Sequence, residues 1–324
     1  MPAGHEKNTA GTDLSSRAGF VGLIGPPNVG KSTLLNLILG QKIAITSEKP
    51  QTTRHRILGV WSSPRAQVVF LDTPGLHQAK SLLARELVAQ ALAVLADVDL
   101  ILLLIESFDL EVVRPGGSRQ ALDRPGRRAE GTELALETVK NSGRPVVLAI
   151  NKIDRIKKPD LLPLMDDLRR RIPEAVLVPI SARTGANVPA LLEEIVKRLP
   201  EGPPFYPPET LTDQPERFIA AEMVREQVFR LTGAEIPYST AVTVEEYKEG
   251  PALTRISAVI HVERESQKKI VIGAKGAKLK QIGSAARIEI ERLTGTKVFL
   301  ELFVRVQKNW TRDPAAIKRF GYTP

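Results

Sequence analysis

Eight consecutive residues, Gly25-Pro-Pro-Asn-Val-Gly-Lys-Ser32, have the spacing G-x-x-x-x-G-K-S. Glycines so placed let backbone N–H groups turn inward around phosphate oxygens; a lysine then reaches the β- and γ-phosphates and a hydroxyl can bind Mg²⁺. Gly25, Asn28, Val29, Gly30, Lys31, Ser32 and Thr33 are therefore candidates to cradle a nucleoside triphosphate. Asp72-Thr-Pro-Gly75 is D-x-x-G, in which Asp72 can hold Mg²⁺ through water and the Gly75 amide can contact the γ-phosphate. Between these motifs lies Gln51-Thr-Thr-Arg-His55. A threonine there, taken as Thr53, can bind Mg²⁺ only while a γ-phosphate is present, which makes the segment a switch.

The base is read elsewhere. In Asn151-Lys152-Ile153-Asp154 a carboxylate can accept from both N1–H and the exocyclic amine of guanine, an arrangement adenine does not offer, and a buried unpaired acceptor discriminates strongly. Ser181-Ala182-Arg183 could present the Ala182 amide to guanine O6. Leu76 follows D-x-x-G where many GTPases carry a water-orienting glutamine. An aliphatic side chain cannot hold water, so intrinsic hydrolysis is expected to be slow or to use another device.

Strands and helices must carry these motifs. Short apolar runs at residues 20–24, 68–71, 100–105, 146–150 and 176–180 read as strands buried on both faces, with helices between them, including 32–39. The pattern predicts a doubly wound α/β domain over residues 18–200, preceded by a disordered tail (1–17). Residues 109–128 show no usable period and read as a surface insertion whose arginines could touch RNA, although a solvated loop is the simpler reading. Five prolines within residues 199–208 mark a stiff, extended linker (201–210) separating two cores. Residues 211–324 then follow an α-β-β-α-α-β order, a smaller α+β domain with a basic tail. The 324 residues fit two domains, and the net charge of +9 suits a polyanionic partner. With no cysteine, disulfides, thiol nucleophiles and cysteine-ligated zinc are excluded. No run approaches the roughly 20 apolar residues of a membrane span. The N-terminus has no apolar leader core, so a cytoplasmic location is expected.

Ile272-Gly273-Ala274-Lys275-Gly276 opens a predicted helix at 278–293 and resembles the G-x-x-G loop of a type II K-homology (KH) domain, a fold that clamps single-stranded nucleotides. Lys268, Lys269, Lys275, Lys278 and Lys280, with no acid from 266 to 280, favour that reading over a plain helix–helix turn. Arg305 and Lys308 add charge beyond. A GTP-type P-loop domain followed by a KH domain resembles the bacterial Era GTPases over about residues 18–314, including the segments 51–56, 72–77 and 306–310. Pro26, where the family often has arginine, and the length of the 109–128 insertion depart from its pattern.

The resemblance implies hydrolysis of GTP to GDP with Mg²⁺ held by Ser32, Thr53 and Asp72. It places Lys31, Thr53, Gly75 and Asn28 at the chemistry, with the Asn28 side chain holding K⁺ in the role of an arginine finger. It further implies a monomer that binds the 3′ end of 16S ribosomal RNA and assists 30S subunit assembly. Peripheral membrane association also comes with the family, though no feature of the sequence demands it. The competing reading is an RNA chaperone whose nucleotide domain is a structural clamp with negligible turnover. A tRNA-modifying GTPase lacks a second catalytic site here, and a metabolic P-loop kinase is disfavoured by the N-K-x-D and S-A-R elements together.

Overall fold

The computed structural model describes residues 16–323 apart from 48, 50, 80, 108–110, 114–118, 122–126 and 234–235. The first unit runs β1 (Arg17–Ile24), α1 (Lys31–Leu39), β2 (Ile57–Ser63), β3 (Ala66–Asp72), α2 (Leu82–Asp97), β4 (Leu100–Glu106), β5 (Glu111–Val113), β6 (Arg119–Ala121), α3 (Arg127–Lys140), β7 (Val146–Asn151), α4 (Lys158–Arg171), β8 (Val176–Pro179) and α5 (Val188–Val196). Its main sheet has the order β2-β3-β1-β4-β7-β8, parallel except for the antiparallel β2–β3 edge. β4 buries every residue, as a strand covered on both faces must. The order reverses on either side of β1, so the loops after β1, β3 and β7 meet at one end of the sheet, where such folds bind ligands.

The second unit runs α6 (Glu216–Leu231), β9 (Ala241–Lys248), β10 (Leu253–Val262), α7 (Glu265–Ile272), α8 (Ala277–Thr294), β11 (Lys297–Val306) and α9 (Pro314–Arg319). Its sheet, β11-β10-β9, pairs β10 antiparallel with β9 and parallel with β11. The expected α-β-β-α-α-β order holds. α6 and α8 cover one face through Val224, Val228, Ile282, Ala286 and Ile290.

Four sequence expectations need correction. Arg17 belongs to β1, not to the tail, because its N–H and guanidinium bond the carbonyls of Arg65 and Leu199. The first sheet has a sixth strand, β2, whose short apolar run is broken by Gly59 and sits at an edge. Residues 109–128 lie largely outside the described residues, but 111–113 and 119–121 pair as a hairpin and Arg127 begins α3. The proline-rich segment does not hold two cores apart. Gln67 accepts from the N–H groups of Phe205 and Tyr206 and donates to the Tyr206 carbonyl, while Val60 N–H bonds the Leu211 carbonyl, so the segment lies along the first sheet.

The two units share a core that the sequence did not announce. Leu83 and Leu87 of α2 pack with Ala241, Trp310, Ile317, Phe320 and Tyr322. Trp310, fully buried, donates its indole N–H to the Ser239 carbonyl at 2.9 Å.

Candidate functional site

The turn after β1 carries the G-x-x-x-x-G-K-S residues, with Asn28 at φ 64° and Gly30 at φ 105°. A Cβ on Gly30 would lie 2.4 Å from Asn151 Nδ2, so both the backbone angle and the space exclude a side chain. That nitrogen donates to the Val29 carbonyl at 2.7 Å, and Asn151 Oδ1 accepts from the Lys152 and Ala182 N–H groups. Lys152 reaches back to the Asn28 carbonyl at 2.8 Å and pairs with Glu106. Asn151 and Lys152 therefore tie the turn after β1 to the loops that carry Asp154 and Ala182. The Ala182 N–H, expected to face guanine O6, is instead bonded to Asn151.

Lys31 opens α1, buried, with Nζ 3.0 Å from the carbonyls of both Gly25 and Pro26. Burial pushes its ammonium down to about 8, against the pull of Asp72. Asp72, at the end of β3, is fully buried; burial raises it to about 6, opposed by Lys31 and by the Ser32 hydroxyl. Ser32 Oγ lies 2.6 Å from Asp72 Oδ2 and 2.9 Å from Thr53 Oγ1. Asp72 Oδ1 is buried without a partner in the protein. Two hydroxyls and a carboxylate, all hard oxygen donors at the mouth of a phosphate cradle, fit Mg²⁺. Thr33 follows on α1, and Gly75 packs so closely on Pro27 that a Cβ would lie 2.6 Å from its Cα. Leu76 is fully buried, its N–H bonded to the Gly25 carbonyl, so no side chain there addresses water.

At the base end, Asp154 Oδ1 accepts from Ser181 Oγ at 2.6 Å and Oδ2 from Arg183 Nη2 at 2.7 Å. The Ser181 bond, with further help from Arg183, holds the carboxyl below its ordinary range. Asp154 is thus ionised and held in one orientation, as an acceptor for a guanine edge requires.

The second unit presents a groove of about 360 Å³ lined by Gly276, Leu279, Lys280, Gly283, Ser284, Arg287, Leu300 and Leu302. Ile272 ends α7, and Gly273 (φ 73°), Lys275 (φ 47°) and Gly276 (φ 80°) make the sharp turn into α8. Ala274 lies within that turn, and Lys278 packs under Gly273. Exposed Lys269 lies one turn before it. Arg305 does not join the groove. On β11 it has the opposite parity to Leu300 and Leu302 and pairs with Glu245 at 3.1 Å. Lys308 lies in the turn beyond β11, outside the groove lining. Leu279, Gly283, Ser284, Arg287, Leu300 and Leu302 escaped sequence reading. Gly283 inside a helix was the available signal, since glycine there costs about 1 kcal/mol unless close packing requires it.

Fold and site together define a P-loop GTPase whose chain continues into a KH domain. Family models agree: residues 20–152 match the 50S ribosome-binding GTPase family and 235–311 the KH domain. The chain is 49% identical to GTPase Era of Syntrophus aciditrophicus, covering 98% of each chain, and 51% identical to that of Geobacter metallireducens, covering 96% of this chain and 100% of the relative. A crystal structure of Era in complex with MgGDPNP and nucleotides 1506–1542 of 16S ribosomal RNA superposes with TM-score 0.86 at 42% identity, covering 95% of this chain and all of that one. An Aquifex aeolicus Era variant bound to GDP·AlF4⁻ gives the same TM-score and identity. The chain belongs to the Era family of GTPases.

Proposed function

We propose that this GTPase binds GTP with Mg²⁺ in the first unit and the 3′ end of small-subunit ribosomal RNA in the groove of the second, as a switch assisting 30S assembly. The observation that carries the nucleotide half is the Ser32–Thr53–Asp72 cluster at the end of the turn whose other side leads to Asp154. Mg²⁺ there would be held by Ser32 and Thr53, with Asp72 acting through water, and would neutralise charge on the β- and γ-phosphates. Lys31 leaves the Gly25 and Pro26 carbonyls for phosphate oxygens, and the Gly75 N–H meets the γ-phosphate. Asp154 selects guanine. Asn28 supplies a side-chain oxygen for K⁺, which neutralises charge developing in the transition state, as an arginine finger does, at a site where Leu76 orients no water.

The RNA half rests on two glycines and a positive-φ lysine at the mouth of the groove. Their backbone lets a phosphate approach, and Lys275, Lys278, Lys280 and Lys269 supply charge. The location implied is cytoplasmic, with peripheral contact at the inner membrane face; among the described residues no helix is long and apolar enough to cross a membrane. The deciding experiment measures GTP turnover in Mg²⁺ with and without K⁺ and a 16S 3′-terminal RNA. Turnover raised by RNA supports the switch. RNA binding with no turnover under any condition would leave the clamp reading.

A further inference from the structure

Thr53 stands between two residues that the second unit grips. The carbonyl of Thr52 accepts from Arg225 Nη2 of α6 at 2.6 Å. The guanidinium of Arg54 donates to the carbonyls of Pro237, Tyr238 and Thr240 at 2.8–3.0 Å. Among the described residues, 41–56 contain no helix or strand, so this stretch lacks the internal ladder that would hold a hydroxyl in place. α6 supplies the missing bonds. Glu226 accepts from the Thr46 N–H and pairs with Lys42 at 2.5 Å, and Lys49 donates to the carbonyls of Phe229 and Thr232.

Of these anchors, Arg225 acts nearest to Thr53. It is fully buried, and Glu222 fixes its fork by accepting from Nε at 2.7 Å and from Nη2. The second hydrogen of Nη2 points to the Thr52 carbonyl, one peptide from Thr53, while Thr53 Oγ1 reaches Ser32 Oγ at 2.9 Å. A lysine would keep the charge but lose the fork that aims this hydrogen.

We propose that Arg225 is a positioning residue for GTP hydrolysis: through the Thr52 carbonyl it holds the Thr53 hydroxyl at the Ser32–Asp72 cluster, making the docked KH domain part of the GTPase site. The inference rests on the reading of Thr53 as a triphosphate-dependent Mg²⁺ ligand. GDP lacks the γ-phosphate that brings Thr53 to the metal, so Arg225 contributes to triphosphate binding and turnover but not to GDP binding.

The test compares Arg225→Lys, the double variant Glu222→Gln/Arg225→Met, and Thr53→Ala in the full-length protein. The double variant removes both buried charges together, because stranding one is what unfolds such sites. Affinities for a non-hydrolysable GTP analogue and for GDP are titrated in Mg²⁺ beside kcat, with thermal unfolding recorded separately. A lost hydrogen bond to a charged donor corresponds to about 10-fold or more. Analogue affinity should therefore fall about that far in both Arg225 variants, GDP affinity should stay within about twofold, and kcat should drop. Added to Thr53→Ala, the Arg225 changes should produce little further loss, the coupling a shared pathway requires. Equal losses for analogue and GDP, no loss in either, or full additivity with Thr53→Ala would overturn the proposal and leave Arg225 a domain brace. A Thr53→Ala variant with an unchanged analogue-to-GDP ratio would instead defeat the underlying reading of Thr53.

Discussion

The imidazole of His55 lies against the phenol ring of Tyr322, with centroids 4.7 Å apart, so a side chain of the segment between α1 and β2 packs on the chain that follows α9. Phe218 closes the other side edge-on at 4.9 Å, and a Cβ on Gly321 would lie 3.2 Å from the ring. Burial lowers His55 to about 4; Arg225 and Arg54 push the same way, while Glu222 and the Gly321 backbone oppose. His261, its ring tilted against that of Phe320 at 4.9 Å, is lowered to about 4 by burial and by Arg305 and Arg319, with Glu245 opposing.

A pH dependence of folding stability follows. Both histidines are neutral when packed and take a proton when the chain unfolds, so the unfolded state binds more protons between about pH 6.5 and 4. Their contribution is therefore fully present above about 6.5 and is lost as pH falls toward 4. Thermal unfolding should show a lower midpoint at pH 5 than at pH 7. His55→Phe with His261→Phe should flatten that slope; an unchanged slope would mean that other groups carry it.

The base selection proposed for Asp154 makes a separate prediction. Its carboxylate, an acceptor, is oriented by Ser181 and Arg183. Asp154→Asn exchanges that acceptor for a donor, which suits the 2-oxo group of xanthine. GTP affinity should fall by about 10²-fold or more while xanthosine triphosphate binding improves, since sites built around a polar pair discriminate strongly. Competitive nucleotide titration decides it, and unchanged GTP affinity would remove Asp154 from the base pocket.

These residues are legible because phosphate and guanine chemistry constrains side-chain type at short spacing. Gly30, Lys31, Ser32, Asp72 and Asp154 can be recognised without knowing any distant contact. The domain interface works differently. Arg54 lies in a segment readable as a switch, yet its acceptors are main-chain carbonyls, the farthest 186 residues away, and any residue could supply them. Arg225 and Glu222 are three apart on a helix and resemble an ordinary surface ion pair; only burial distinguishes them. The proline-rich segment is opaque for the same reason. Its prolines announce extension, but the partner that holds it, Gln67, lies in an unremarkable strand.

For the KH groove, Gly276→Asp should abolish RNA binding. The residue has φ 80°, and a Cβ there would meet nothing within 4 Å, so the penalty is backbone strain and repulsion of phosphate, not a clash inside the protein. Lys275→Gln, Lys278→Gln and Lys280→Gln should each weaken binding less and shallow its salt dependence. With about three to five phosphates neutralised, log K should fall against log salt with a slope of about −2 to −3.5. Filter binding across a salt series measures both. Because the domains are docked through Arg54 and Arg225, RNA affinity should be higher with a GTP analogue than with GDP, by about 5- to 150-fold. Identical affinities in the two states would keep the groove and discard the switch.

Leu76 is buried and apolar and cannot orient an attacking water, so rate must come from stabilising the charge that develops on the phosphates. Asn28 sits in the phosphate turn at φ 64°, a conformation asparagine tolerates better than most residues, and its carbonyl is already engaged by Lys152. The side-chain oxygen is the group proposed for K⁺. Hydrolysis should be faster in K⁺ than in Na⁺. Asn28→Gly is the informative variant, because glycine accepts the same backbone angle and removes only the side chain. It should erase the K⁺ advantage while GDP affinity stays nearly unchanged. Equal rates in the two salts for the unmodified protein would sink the cation and point to a group supplied by RNA or the ribosome.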